Sequence, residues 1–247
     1  MSFKHRPTVD ASPETVPPLL ELKGIRAAYG RIEVLHGVDL SLPQGAVFAL
    51  LGPNGAGKTT TLNVCSGLVQ PTSGGVYVAG RRINGATPDQ LARAGVCTIP
   101  EGRGVFPNLT VHENLQMMTF VGSSIDEVEE VAYYRFPRLK ERRNQLAGTM
   151  SGGEQQMLSM ARGLATNPAL LLLDELSMGL APLIVEELYA IVAQIAADGV
   201  SILVVEQFAR TVLGVADLAG IMLHGQIIRV GSPRDLEDEL SAAYLGA

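Results

Sequence analysis

Tryptophan is absent from this chain, cysteine occurs only twice, and aromatic residues make up 5% of the sequence. Because Cys65 and Cys97 each lie within an apolar stretch, we expect both to be small, reduced core residues. So few cysteines leave little to cross-link, which excludes a disulfide-rich scaffold and is consistent with a reducing compartment.

Long apolar runs are also missing. No run approaches the ~18 residues that a membrane-spanning helix needs. The polar, proline-punctuated start of the chain lacks the apolar core of a secretory signal. We therefore expect a protein that is soluble, or attached to a membrane only through partners.

Positively charged residues are also scarce, being fewer than negatively charged ones. The chain has 19 lysines and arginines against 25 aspartates and glutamates, giving a net charge of −6. This balance argues against a broad nucleic-acid-binding face, although it does not exclude a local basic patch. With 247 residues, of which 47% are hydrophobic, the chain is long enough to bury a substantial core.

The most informative stretch has the sequence Gly-Pro-Asn-Gly-Ala-Gly-Lys-Thr-Thr. It follows an apolar run at 47–51, predicted to be a buried strand, and precedes residues 61–68, predicted to be a helix. This context is typical of a P-loop, in which glycines let backbone N–H groups surround an anion. The positive end of the following helix points at the same place. The predicted phosphate-binding residues are Gly52, Pro53, Asn54, Gly55, Ala56, Gly57, Lys58, Thr59 and Thr60.

Lysine occurs only four times in the chain, which disfavours an accidental match of Lys58 to this motif. In a P-loop, the lysine reaches the β- and γ-phosphates and the next hydroxyl binds Mg2+. We therefore predict nucleotide binding, with Lys58 on the phosphates and Thr59 on the metal.

The rest of the chain predicts an α/β protein with a helical insertion. Residues 1–18 have the composition of a flexible tail. The charged run 140–143 is interpreted as a solvated helix face, with a partner-contact surface as the alternative. The predicted strands are short antiparallel segments within 19–42, then 76–80, 95–99, 169–173 and 201–205, with a hairpin around 224–225; the predicted helical regions are 110–145 and 182–197.

Two acidic residues, Asp174 and Glu175, come directly after the apolar run 169–173. That run is apolar on both faces, as in a central parallel strand covered by helices. Paired acids after a strand are common surface features, but here a P-loop is also present. We therefore predict that Asp174 binds Mg2+ and that Glu175 polarises the attacking water.

A second glycine-containing segment, Ser151-Gly152-Gly153-Glu154-Gln155, precedes a helical run. Ser151 is a predicted N-cap, and the two glycines expose backbone N–H groups at the start of the helix. A capped helix after a glycine turn would account for the pattern by itself. It would not explain why a chain with one phosphate cradle has another.

These motifs, in this order, resemble the ATP-binding cassette (ABC) family from about Leu20 to the C-terminus. The resemblance implies a P-loop NTPase (RecA-like) core with an antiparallel β subdomain and an inserted helical subdomain. The implied single domain is 19–247, with the core at 19–109 and 151–247 and the insertion at about 110–150. In this family two cassettes pair head to tail, and ATP lies between the P-loop of one and the signature of the other.

The resemblance also implies further residue roles. Tyr29 matches the aromatic residue that stacks on adenine, with a strand-end core residue as the alternative. Ser151, Gly152 and Gly153 match the signature that faces the γ-phosphate bound by the other subunit. The segment Ser177-Met178-Gly179-Leu180 matches the D-loop.

Two site positions depart from the general family pattern. Glu101 stands where most cassettes have the Q-loop glutamine, and its carboxylate can still approach Mg2+ as a hard oxygen ligand. Gln207 replaces the switch histidine: it can donate a hydrogen bond to the γ-phosphate but cannot titrate near neutral pH. Leu176 and Met178 differ from the proline and leucine expected in the D-loop.

With these departures, the chain resembles one branch of the family, the shorter ATPase subunit of the high-affinity branched-chain amino-acid importers. The resemblance is carried by Pro-Glu-Gly-Arg at 100–103, Phe-Pro-Asn-Leu-Thr-Val at 106–111, Phe-Pro-Arg-Leu at 136–139, Val-Glu-Gln at 205–207 and Ala-Tyr-Leu-Gly at 243–246. It implies ATP and Mg2+ as cofactors, and a sister or identical cassette, integral-membrane permease subunits and, indirectly, a solute-binding protein as partners. It also implies a peripheral position on the cytoplasmic face of the membrane, with no nucleic-acid partner.

Four alternatives compete with this interpretation, and the sequence disfavours the second and the third. Urea and short-chain amide importers use similar cassettes. A chromosome-maintenance or DNA-repair ATPase would separate the P-loop from the signature by long coiled coils, which this chain has no room for. A translation-associated protein would need two cassettes in one chain. A binding-only cassette is compatible with the departures at Glu101 and Gln207.

Overall fold

The computed structural model describes residues 16–102, 104–207 and 212–236. Arg103, the segment 243–246 and most of the predicted tail therefore lie outside the described residues. The described strands are β1 Leu20–Tyr29, β2 Ile32–Leu42, β3 Val47–Leu51, β4 Ser73–Val78, β5 Arg81–Arg82, β6 Val96–Ile99, β7 Leu170–Asp174, β8 Ser201–Glu206, β9 Leu218–Leu223 and β10 Gln226–Gly231. The described helices are α1 Lys58–Cys65, α2 Pro88–Arg93, α3 Val111–Gln116, α4 Ile125–Arg135, α5 Pro137–Glu141, α6 Gly152–Leu164 and α7 Pro182–Ala197, with 3-10 turns at Met117–Val121 and Ala147–Thr149.

The strands form two sheets. One is antiparallel, in the order β2-β1-β4-β5; the other has the order β10-β9-β3-β8-β7-β6. In the second sheet β3 and β6 to β9 run parallel, and only β10 is antiparallel to its neighbour. The predicted α/β class, with a separate antiparallel sheet, is therefore confirmed.

The parallel strands separate two apolar cores because successive side chains of a strand point to opposite faces. On β3, Val47, Ala49 and Leu51 enter one core and Phe48 and Leu50 enter the other. The first core is closed by α6, α7 and the helices of 111–141, whereas the second lies under the antiparallel sheet and α1. All five β3 residues are buried, as the continuous apolar run predicted.

Reciprocal capping starts four of the helices. The capping side chain accepts a hydrogen bond from the backbone N–H three residues on, and the Glu or Gln at that position binds the cap's own N–H. These pairs are Thr87 with Gln90, Thr110 with Glu113, Ser124 with Glu127, and Ser151 with Glu154. Helical structure within 110–145 is confirmed, as is the helix at 182–197.

Three local predictions need correction. The helix after the P-loop is α1, which ends at Cys65 rather than Leu68, because Gly67 turns the chain with a φ of +75°. The antiparallel strands β1 and β2 are long rather than short, since register shifts near Gly24 and Gly37 accommodate those glycines within the pair. The run 140–143 is not a solvated helix face throughout, because α5 ends at Glu141 and the two arginines that follow form intramolecular ion pairs.

The parallel topology fixes the position of the chemistry. The carboxyl ends of β3, β6, β7 and β8 meet at one edge of the sheet, where parallel α/β proteins bind ligands. The residues at or just after these ends are the P-loop, Glu101, Asp174 with Glu175, and Gln207. Within the described residues, no helix is both long and apolar enough to span a bilayer.

Candidate functional site

The P-loop wraps tightly around the start of α1. Gly55 and Gly57 have φ of +81° and +107°, values that favour glycine. A Cβ on Gly52 would lie 2.3 Å from the Met222 carbonyl oxygen, so neighbouring β9 leaves no room for a side chain there. The loop conformation therefore depends on glycine at these positions.

Lys58 is 4% exposed and its ammonium lies inside the loop. Nζ donates hydrogen bonds to the carbonyl oxygens of Gly52 at 2.9 Å and Pro53 at 3.2 Å. It also lies 3.6 Å from Oε1 of Glu175. A buried ammonium held by neutral carbonyls and one acid is placed where it can turn to an incoming phosphate.

Thr59 and Asp174 bring the end of β7 to the start of α1. The Thr59 hydroxyl donates to Oδ1 of Asp174 at 3.2 Å. Burial raises the pKa of Asp174 to about 6, with the charges of Glu175 and Glu101 adding to the effect, while the Thr59 hydrogen bond and Lys58 oppose it. A nearby positive charge would therefore stabilise the ionised form of this carboxyl group.

These two side chains also fit the hard, oxygen-preferring chemistry of Mg2+. Among the described residues, no group of three or more His, Cys, Asp or Glu side chains is arranged to hold a metal. Thr59 and Asp174 would hold only part of the octahedral shell, and phosphate oxygens and water would have to supply the rest.

Glu175 follows β7 in a left-handed backbone conformation, with φ of +46°. Its N–H donates to the Val205 carbonyl at 2.9 Å, across the β7–β8 boundary. Its side chain is 11% exposed and faces Lys58. A non-glycine residue at positive φ is a strained conformation of the kind that concentrates at active sites.

A cleft of about 280 Å³ opens over these groups. Its lining residues are Val34, Asn54, Gly55, Gly57, Lys58, Thr59, Thr60, Glu101, Glu175 and Met178. The structure therefore brings Glu101, predicted from the segment after β6, to the P-loop. Gln207 follows β8 directly but is not among the described residues that line this cleft.

Tyr29 lies at the end of β1 with 48% of its surface exposed. Its hydroxyl accepts a hydrogen bond of 3.5 Å from the Asn63 amide on α1. The alternative interpretation, a strand-end core residue, is therefore wrong. The aromatic ring stays available at the surface beside the helix that follows the P-loop.

Ser151 caps α6 through the predicted N-terminal arrangement. Its hydroxyl and backbone N–H donate to Oε2 of Glu154 at 2.8 and 2.9 Å. Burial acts to raise the pKa of Glu154, but the bonds from Ser151 and the charge of Arg142 lower it overall. Nε of Arg142 lies 2.5 Å from Oε1 of Glu154, so the charged run at 140–143 partly supports the signature helix.

The signature and the P-loop remain separate within one chain. Ser151, Gly152 and Gly153 are not among the described residues that line the P-loop cleft. Gly153 packs against α7, where an added Cβ would lie 2.4 Å from Cγ2 of Ile184. Within the described part of one chain, the two glycine-containing segments therefore do not line a common P-loop cleft.

Some residues of the site region were missed by the sequence analysis. Val34, which no motif included, lines the cleft, as does Met178, which the resemblance gave only as a D-loop departure. The buried carboxylate of Glu206 binds Ser177 and Tyr189 beside the cleft. Glu206 carried one sequence signal, an acid that directly follows the apolar run 202–205. Nothing in the sequence linked Glu206 to its partners, because Ser177, in the predicted D-loop, and Tyr189, in α7, lie on other elements.

Comparison with known proteins places this geometry in a family. The ABC transporter family model matches residues 35–177. The high-affinity branched-chain amino acid transport ATP-binding protein BraG of Pseudomonas aeruginosa is 40% identical over 92% of this chain and 100% of its own length. The lipopolysaccharide export system ATP-binding protein LptB of Acidithiobacillus ferridurans is 31% identical over 92% of this chain and 97% of its own.

Solved structures agree with the sequence comparison. A nucleotide-free ATP-binding cassette from an ABC transporter matches with a TM-score of 0.83 at 25% identity, covering 93% of this chain and 99% of that one. An ABC transporter cassette in its ADP conformation matches with a TM-score of 0.82 at 26% identity, with the same coverage. The chain therefore belongs to the ABC transporter family, as an ATP-binding cassette whose ATPase activity energises transport.

Proposed function

We propose that this chain is the ATP-hydrolysing subunit of an importer for branched-chain amino acids. One observation carries the proposal: BraG, whose name specifies branched-chain amino acid transport, matches over its full length at 40% identity. The lipopolysaccharide export relative matches at 31%. The cassette does not itself contact the solute in this proposal, and permease and solute-binding subunits select it.

The nucleotide site combines the P-loop with the acids at the end of β7. Lys58 would exchange its bonds to the Gly52 and Pro53 carbonyls for the β- and γ-phosphates of ATP. The P-loop N–H groups would bind the remaining phosphate oxygens, and Tyr29 would stack on adenine. Mg2+, held by Thr59 and Asp174 with Glu101 nearby, would neutralise charge on the phosphates.

Hydrolysis would use Glu175 as the general base. Its carboxylate would accept a proton from water as the water oxygen attacks the γ-phosphorus and the bond to the β–γ bridging oxygen breaks, leaving ADP and phosphate. Gln207 would donate a hydrogen bond to the γ-phosphate. Lys58, 3.6 Å from Glu175, would hold that side chain beside the phosphates.

The partners follow from the separation of the two glycine-containing segments. Ser151, Gly152 and Gly153 of a second cassette, identical or sister, would complete each site in a head-to-tail dimer. Integral-membrane permeases would hold the pair at the membrane as peripheral subunits. We also propose that the folded unit runs from 19 to 247, with the helical insertion at about 110–150.

The test of hydrolysis compares Glu175→Gln with a matched control. Because general-base catalysis typically contributes 10²–10⁴-fold, we expect Glu175→Gln to bind ATP normally and to lose at least about 100-fold in turnover. The control is Glu186→Gln, the same change at an exposed position of α7, which should leave turnover unchanged. Normal turnover in Glu175→Gln would remove the proposed base.

A second comparison separates hydrolysis from mere binding. The wild-type chain, with Gln207, should hydrolyse ATP, and Gln207→His should change the rate only a few-fold. A wild-type chain that is inert until Gln207→His is made would favour a binding-only cassette.

For the solute, cells lacking the gene should lose uptake of radiolabelled leucine, isoleucine and valine but not of urea; the reverse pattern would favour the urea importers.

A further inference from the structure

Glu206, the last residue of β8, is a buried acid that the proposed hydrolysis does not use. It is 1% exposed, and both carboxylate oxygens are hydrogen-bonded. Oε1 accepts from the Ser177 N–H at 2.9 Å and from the Tyr189 hydroxyl at 2.6 Å, and Oε2 accepts from the Ser177 hydroxyl at 2.8 Å. Tyr189, on α7, is itself 2% exposed.

Keeping this carboxyl group buried is unfavourable. Burial raises the pKa of Glu206, and the nearby charge of Glu175 acts in the same direction, while the three hydrogen bonds oppose it. Within the described residues, its hydrogen-bond donors are hydroxyls and an amide rather than a cation. A leucine would fill the same volume without this desolvation cost. The acid therefore has to be explained by the groups it binds.

Two of the three hydrogen-bond donors belong to Ser177, in the turn that carries Glu175, and the third is Tyr189 on α7. The Glu175 N–H binds the Val205 carbonyl at 2.9 Å, and the Met178 N–H binds the Glu175 carbonyl at 3.2 Å. Val205 and Glu206 therefore hold the turn at two successive points, Glu175 and Ser177. At the first of these points the backbone of Glu175 has a φ of +46°, which an unsupported glutamate rarely adopts.

We propose that Glu206 is a positioning residue for ATP hydrolysis, which orders the 175–178 turn so that the Glu175 carboxylate faces the γ-phosphate. The same side chain connects the turn to Gln207, the next residue in the chain, so that the two groups proposed to flank the attacking water keep a fixed separation. This inference rests on the proposed function of Glu175. Loss of Glu206 should therefore lower turnover and leave ATP binding intact.

The test replaces Glu206 by leucine and by glutamine in the full-length chain. Glutamine keeps an acceptor for the Ser177 N–H and the Tyr189 hydroxyl, and its amide can donate to the Ser177 hydroxyl. We expect Glu206→Leu to lower kcat at least 10-fold with KM for ATP within 2-fold of wild type, and Glu206→Gln to restore most of kcat. Val192→Ala, in the buried face of α7, is the control for a loss of stability without a loss of turn contacts.

A second measurement does not depend on hydrolysis. Hydrogen exchange of the nucleotide-free chain should show a protected Ser177 amide in the wild type and in Glu206→Gln, and a fast-exchanging one in Glu206→Leu. If Glu206→Leu does not fold, Ser177→Ala, which removes only the 2.8 Å hydroxyl contact, should still lower kcat about 3-fold at unchanged KM.

Several outcomes would overturn the inference. One is a Glu206→Leu protein whose kcat falls no further than that of Val192→Ala; another is a parallel loss of kcat and ATP affinity, which would indicate a structural role only. A wild-type chain without ATPase activity would instead refute the proposed function. In that case a Ser177 amide that stays protected in Glu206→Leu would still overturn the role of Glu206.

Discussion

Asp174, the acid at the end of β7, should affect the stability of the fold as well as metal binding. Asp174 is 6% exposed, and its burial raises its pKa from the reference value of 3.8 to about 6. The folded chain therefore binds this proton more tightly than the unfolded chain does. The resulting destabilisation is absent below the unfolded pKa, grows between the two values, and is complete above the folded one. Asp174→Asn should consequently stabilise the nucleotide-free protein at neutral pH.

The size of the effect follows from the difference between the two pKa values. Each unit corresponds to about 1.4 kcal/mol, so the ionised carboxylate destabilises the fold by about 3 kcal/mol at pH 7.5 and by roughly half of that at pH 5. Asparagine has nearly the same volume, and its amide oxygen can accept the 3.2 Å bond from Thr59. The gain at pH 7.5 should therefore approach the full electrostatic amount.

Urea denaturation in EDTA, without nucleotide, measures this change in the free energy of unfolding directly. The free energy of unfolding of Asp174→Asn should exceed that of the wild type by more at pH 7.5 than at pH 5. Asp126→Asn, an exposed position in the first turn of α4, should change it by less than about 0.5 kcal/mol at either pH. A pH-independent difference, or a less stable Asp174→Asn at pH 7.5, would refute the reasoning. Adding Mg2+ and ATP should reverse the order, since only the wild type keeps the carboxylate.

Two further predictions concern the segments on either side of the site. Asn114 is fully buried; it accepts the Phe106 N–H at 2.9 Å and donates to three backbone carbonyls that each have another donor. Asn114→Ala leaves only that N–H without its acceptor, so we expect the free energy of unfolding in urea to fall by roughly 1–3 kcal/mol, and a smaller fall would contradict this. Gly153→Ala should cost roughly 1–3 kcal/mol, because its Cβ would meet Ile184 at 2.4 Å. Adding Ile184→Ala should recover part of that loss, and an equally unstable double variant would show that α7 is not the obstacle.

The nucleotide half of the site could be predicted because its chemistry is local. In the P-loop, the strand, the glycine turn, Lys58 and the helix follow one another, so spacing alone brings the groups together. Asp174 and Glu175 were predictable for the same reason: they end a strand whose apolar run identifies it. The Ser151 cap was equally local, since a capping box spans only four residues.

The unpredicted contacts join residues far apart in sequence. Glu206 binds Ser177 and Tyr189 only because β7 and β8 pair in parallel with Asp174 opposite Val205, a register that no local pattern specifies. Arg142 and Arg143 were interpreted as solvent-facing because a charged run usually is. Their partners are Glu154 on α6 and Glu129 on α4, which become neighbours only when the inserted helices pack together.

The site collects features that each cost stability. Glu175 is held at positive φ, and burial disfavours ionisation of the Asp174 carboxyl group. The Lys58 ammonium donates its hydrogen bonds mainly to backbone carbonyls. The two apolar cores that flank the parallel sheet offset these costs and keep the strand ends fixed. ATP with its metal would relieve two of them together, because phosphate would replace the carbonyls at Lys58 and a cation would favour ionised Asp174. Since the relief requires the ligand, nucleotide binding should tighten the edge of the sheet on which Glu175 and Gln207 lie, and with it the surface that the proposed second cassette would contact.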